Sequence, residues 1–136
     1  MKNLASLVII SVCLIALSCS KNDQSERFKL LTGPLWRTDS LLASGVDASA
    51  PGGMLAKFKG DAKFAEDGTG YFGIYKGTWR FNSDESQITI VTDSLILPII
   101  SDIVELTSSS FKIKTMVPNP LIPTESVKIR MTFKPK

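Results

Sequence analysis

Short runs of alternating apolar and polar residues, each closed by a glycine or acidic turn, constrain this chain more than any other feature. The clearest case is Phe64-Ala65-Glu66-Asp67-Gly68-Thr69-Gly70-Tyr71-Phe72, followed by Gly77-Thr78-Trp79. Asp67-Gly68 supplies the positive φ that a short hairpin turn needs, and aromatic residues flank it on both sides. Side chains that alternate with period two reach opposite faces of a strand, so such a run buries one face and wets the other.

The same grammar recurs along the chain. After the Gly33-Pro34 breaker, Trp36, Thr38, Ser40 and Leu42 fall on one face, with Arg37 and Asp39 on the other. Residues 43–53 read as a loop on composition. Residues 54–64 put Met54, Ala56, Phe58, Gly60, Ala62 and Phe64 on one face, which predicts a half-buried strand with a bend or bulge at Gly60. Residues 70–75 return from the turn, and 78–81 point Trp79 and Phe81 inward. Residues 87–92 alternate Ile88 and Ile90 with Thr89 and Val91. Residues 95–100 form an apolar run interrupted by Pro98, read as a buried strand or as an apolar lip or docking patch. Residues 103–107 and 111–115 continue the pattern. Residues 117–125, with three prolines, predict a loop that shares a rim with 95–100. Val127, Ile129, Met131 and Phe133 close the chain against Lys128, Arg130, Thr132 and Lys134.

No stretch of ten or more shows a helical period. About eight sequential strands joined by short turns predict an all-β, antiparallel up-and-down barrel, which removes exposed sheet edges. At that strand number the interior is filled by side chains or holds one small ligand. Trp36, Phe58, Phe64, Phe72, Trp79 and Phe81 are inward and build either the core or a ligand pocket. Ile99, in the apolar run, joins them as a candidate ligand contact.

The N-terminus carries a different signal. Met1-Lys2-Asn3 precedes an unbroken apolar run from Leu4 to Leu17, too short for a comfortable span of about 20 residues, and it reads as a signal peptide. It ends in Leu17-Ser18-Cys19, a small residue directly before a cysteine, which resembles the lipobox of bacterial lipoproteins. The resemblance implies cleavage before Cys19, a diacylglycerol on its thiol and attachment to a membrane by more than one acyl chain. Ordinary secretion with a free Cys19 is the alternative. The expected organisation is a signal peptide over 1–18, lipidated Cys19 and a polar tether over 19–29, and a folded domain over 30–136. The Lys21-Asn22-Asp23 run resembles the charged signals that place some lipoproteins on the outer membrane.

Composition narrows the chemistry. The chain has 136 residues, no histidine, and cysteine only at positions 13 and 19. Without histidine the commonest general base and metal ligand are missing. A formal charge of +3, spread along the strands, does not mark a nucleic-acid partner. Glu66-Asp67-Gly68-Thr69 lacks the alternate oxygen ligands of a calcium loop. Asp84 and Glu85 read as a solvated turn. These features predict a non-catalytic protein without cofactor or metal.

The lipobox leader, Leu31-Thr32-Gly33-Pro34-Leu35-Trp36, Phe64-Ala65-Glu66-Asp67-Gly68-Thr69, Gly77-Thr78-Trp79 and Ile103 to Phe111 occur in a family order. Together they resemble the lipocalin-like domain lipoproteins of Gram-negative bacteria, with an extra residue in the first motif. The resemblance implies a small lipocalin-like barrel at the cell envelope and a small apolar or amphipathic ligand, and it carries over no site residue. A filled barrel whose apolar loops dock an envelope protein is the alternative.

Overall fold

The computed structural model describes residues 24–136. The leader and Cys19 lie outside the described residues. Nine strands form one antiparallel sheet: β1 (Trp36–Ala43), β2 (Val46–Asp47), β3 (Asp61–Phe64), β4 (Thr69–Phe72), β5 (Tyr75–Phe81), β6 (Gln87–Thr92), β7 (Ile99–Leu106), β8 (Phe111–Pro118) and β9 (Ser126–Pro135). Consecutive strands from β3 to β9 pair with each other. β1 closes the ring, pairing with β9 along its length and with β3 at its start, while β2 extends β1 at its far end. The expected eight-stranded up-and-down barrel is the observed one, with β2 as an added hairpin.

Alternation selects the interior. Phe64, Phe72, Trp79, Ile88, Ile90, Phe111, Ile113, Ile129, Met131 and Phe133 are buried, and their strand neighbours face outward. Among the described residues the core runs from Leu31 to Phe133 and draws on every long strand of the ring.

Five local expectations are corrected. The strand expected over 70–75 ends at Phe72, and Gly73-Ile74, with Gly73 at φ +61°, turns the chain into β5. The tether expected over 19–29 gives way at Glu26 to a helix, α1 (Glu26–Thr32). Ser25 caps it by accepting from the Phe28 amide at 3.0 Å, and Leu31 and Thr32 are buried. Two turns are too short to reveal a period. α1 lies across one end of the barrel, with Phe28 against Trp79 (5.6 Å) and the Arg27 guanidinium on the Glu85 carbonyl.

The strand expected over 54–64 begins only at Asp61. Ahead of it is a one-turn 3₁₀ helix, Ala56–Phe58, and Gly60 sits at φ +123° where the chain enters β3. Leu55 and Phe58, three apart, are buried together, a helical spacing that the alternation concealed. In β1 a bulge between Thr38 and Ser40 reverses the expected faces, so Leu41 is buried instead of Leu42. In 95–100, strand pairing starts only at Ile99, and Ile96 is fully exposed.

Strand direction sorts the connections into two sets. The turns at 65–68, 82–86 and 107–110 share the end covered by α1. The β1–β2 hairpin and the loops at 93–98 and 119–125 share the opposite end, which the 48–59 segment crosses with Leu55 and Phe58 buried. Both apolar loops therefore stand on one rim, as their composition suggested.

Candidate functional site

At the capped end the barrel is solid. Phe64 is its centre, with the rings of Phe72, Phe111 and Trp79 at 5.1, 5.5 and 5.8 Å. Trp36 joins through Phe111 at 5.8 Å, and Phe81 stands edge-on to Trp79 at 5.4 Å. Trp36 and Phe64 have no accessible surface, so their rings touch neighbouring rings. The structure thus gathers five of the seven nominated residues, Trp36, Phe64, Phe72, Trp79 and Phe81, into one aromatic cluster. Phe58 lies apart, against Tyr75 at 4.7 Å, and Ile99 stands opposite Ile90 at the start of β7. The indole nitrogens are spent on structure: Trp36 donates to the Leu31 carbonyl and Trp79 to the Ala65 carbonyl, each at 2.9 Å.

The acidic hairpin turn is also spoken for. Asp67 accepts from the Thr69 hydroxyl at 2.6 Å and the Thr69 amide at 2.9 Å, with Gly68 at φ +86°. Those bonds hold the Asp67 carboxyl below its ordinary value. Ser86 does the same for Asp84. Both carboxylates serve Asx turns. Among the described residues no group of three or more potential ligand side chains is placed to hold a metal ion.

Toward the end away from α1 the wall parts. β7 and β8 pair from Leu106↔Phe111 to Asp102↔Lys114 and no further. Beyond that rung β7 holds only β6, through Ile99, and β8 holds only β9, from Thr115↔Ile129 to Pro118↔Ser126. One side-chain bond spans the parted strands, from the Thr115 hydroxyl to the Ile100 carbonyl at 2.6 Å. A groove of about 660 Å³ occupies this region. Thr115 and Ile129, whose register places them on the inner side of the sheet, line it together with outward residues. Of these, Ile100, Val104 and Met116 are apolar, Lys114, Lys128 and Arg130 are basic, and Asp102 is acidic. The volume falls within the roughly 300–1,000 Å³ usual for small-molecule sites.

Charge in the groove is unbalanced. Asp102 accepts a hydrogen bond from the Gln87 amide at 2.9 Å. Among the described residues the ion pairs join Arg37 and Lys136 to Asp61, Lys112 to Glu105 and Lys134 to Asp39, and none involves Lys114, Lys128 or Arg130. Sequence reasoning placed these three on an ordinary solvated face. The available signal was the apolar residues between them: Ile100, Val104 and Met116 hold outward positions that alternation reserves for polar side chains.

Two further polar atoms face inward without a partner. The hydroxyls of Thr92 (5% exposed) and Ser101 (1% exposed) make no hydrogen bond. Thr92 continues the inward row of Ile88 and Ile90 on β6, and Ser101 stands opposite Ile88 on β7. Around the rim away from α1, Val46, Ile74, Ile96, Leu97, Leu121 and Ile122 are exposed.

No protein-family model matches the chain, and no curated protein matches it. Solved structures do. Bovine odorant-binding protein in complex with a selenium-containing odorant superposes with a TM-score of 0.52 at 13% identity, over 86% of this chain and 77% of that one. The same protein with its natural ligand, and with undecanal, gives 0.51 at 16% identity over the same shares. The likeness is one of fold, and the barrel is lipocalin-like.

Proposed function

We propose that this chain is a lipid-anchored cell-envelope protein whose barrel binds a small apolar or amphipathic molecule. The observation that carries the reading is the parting of β7 from β8, beside a groove of about 660 Å³ in which Ile100, Val104, Met116 and Ile129 stand among charged side chains. The exposed apolar side chains of Ile100, Val104 and Met116 along that groove support it. So does the fold, because the odorant-binding proteins that share it are solved with an odorant, a natural ligand and undecanal. The Ser18-Cys19 junction supports the anchor and, with the Lys21-Asn22-Asp23 run, an outer-membrane address.

Mass spectrometry of the domain purified from its host, against solvent extracts of the same preparation, tests the ligand. The expected result is a co-purifying small molecule released by organic solvent. A domain that is empty and binds none of a panel of aliphatic probes overturns it. Cys19→Ala tests the anchor: the protein is expected to leave the membrane fraction.

A second reading has its own observation. Ile96 is 100% and Leu121 89% exposed on neighbouring loops of one rim. Such a patch suits docking to another envelope protein. Ile96→Asp and Leu121→Asp are expected to lose partners recovered from membranes, with the fold intact. An unchanged set of partners removes this reading.

A further inference from the structure

We propose that the groove over β7, β8 and β9 takes an acidic amphiphile. Its anionic head sits by Lys114, Arg130 and Lys128, and its aliphatic tail lies along Ile100, Val104 and Met116. The inference rests on the ligand-binding reading above and names the class of ligand.

Register makes the case. Lys114 on β8 is the direct cross-strand partner of Arg130 on β9, and both point outward. Directly opposed side chains have Cβ atoms about 5 Å apart, and two like charges there repel. Asp102, next to Lys114 on the β7 side, is the natural counter-charge, yet its carboxylate holds Gln87 and makes no ion pair with Lys114. Two rungs further from α1, on the same outward face, Lys128 stands opposite Met116. Three cations therefore border one groove that contains a single carboxylate. An anionic head relieves the Lys114–Arg130 repulsion, whereas a neutral head leaves it and a cationic head adds to it.

The apolar side of the groove sets the other half of the ligand. Ile100, Val104 and Met116 are exposed beside these cations, and Ile129 lies beneath where the wall parts. A small inorganic anion leaves that surface wet. A head joined to an aliphatic chain satisfies both parts at once.

Calorimetry on the purified protein tests this with dodecanoate, dodecyl phosphate and 1-dodecanol below their aggregation limits. At least one anion is expected to bind about tenfold or more tighter than the alcohol, the gain of one charge-assisted hydrogen bond. The two anions tell a carboxylate head from a phosphate head. In Lys114→Gln/Arg130→Gln the preference is expected to vanish while dodecanol binding stays. The unfolding midpoint of this variant is expected to hold or rise, since a like-charge pair is gone. Equal affinity for anion and alcohol overturns the acidic head and leaves the apolar ligand standing. A preference that survives in the double variant overturns the location. Failure of all three probes to bind overturns both readings.

Discussion

Lys63 on β3 reaches the end of helix α1 and donates to the Thr32 carbonyl at 2.7 Å, with the Gly33 and Pro34 carbonyls at 3.2 Å. The last carbonyls of a helix have no partner within it and carry its negative pole, so an ammonium there is favourable twice over. This contact fixes the helical cap onto the barrel. Lys63→Met keeps the aliphatic stem and removes the donors. It is expected to cost about 1–2 kcal/mol, read as a lower denaturant midpoint, because hydrogen bonds from a charged group contribute about 1.5–3 kcal/mol and this one is partly exposed. An unchanged midpoint separates the cap from barrel stability.

Gly77 on β5 pairs with Thr92 on β6 and lies against the Val91 backbone. A Cβ built there meets the Val91 carbonyl oxygen at 1.8 Å and the Val91 carbonyl carbon at 2.8 Å, both rigid backbone. Gly77→Ala must displace a strand of a closed barrel, and the strain propagates through the ring. The expected loss is about 3 kcal/mol or more, at the upper end of overpacking costs. Little soluble folded protein should be recovered. Gly68→Ala is the contrast: its Cβ meets only the Trp79 carbonyl, at 3.6 Å, so its cost comes from φ +86° alone. It is expected to be the milder variant, by about 1 kcal/mol of strain.

These two elements show what the sequence reveals and what it hides. The Asp67-Gly68 turn is legible because a hairpin is local: the residues that make it also signal it, whereas Gly77 looks like a turn residue and instead lies within β5. Alternation likewise marked Phe64, Phe72, Trp79 and Phe111 as inward, and strand order followed from short connections. Lys63 was legible only as an outward charge, since its role depends on a helix 31 positions away in the chain. The bulge between Thr38 and Ser40 inverted the faces of β1 without any glycine or proline to announce it. The groove was hidden for the same reason. It arises where two strands that pair at one end fail to pair at the other, and no single segment carries that fact.

Acid should destabilise this fold through its hydrogen-bonded carboxylates. Asp61 is held below its ordinary 3.8 by the hydrogen bonds from Lys136 and Arg37. Asp47, Asp67, Asp84 and Glu105 are lowered by their own hydrogen bonds. A carboxyl whose pKa is lower in the folded state adds stability above its unfolded pKa and loses it as pH falls through the folded value. Residues 24–136 contain neither histidine nor cysteine. The denaturant midpoint should therefore be flat between about pH 5 and 8 and fall below about pH 4. Asp61→Asn should lower the neutral plateau slightly and make the acid decline shallower. An acid limb of unchanged slope in that variant assigns the decline to the other four groups.

Ser101 and Thr92 test whether the inner wall is built for stability or for a ligand. A buried hydroxyl without a partner loses its hydration and gains nothing in return, a cost of about 1–3 kcal/mol. Ser101→Ala removes that cost with little change in volume, and Thr92→Val replaces the hydroxyl by a methyl of similar size. In the ligand-free domain each is expected to raise stability by roughly 1 kcal/mol, seen as a higher denaturant midpoint with unchanged slope. Stability gained by deleting a side-chain group means that the group serves something other than folding. The same variants titrated with the best aliphatic probe complete the argument. Weaker binding alongside the higher midpoint identifies the hydroxyl as a ligand contact. A lower midpoint in the ligand-free domain means that a bound water satisfies the hydroxyl, and that the inner wall is closed for its own sake.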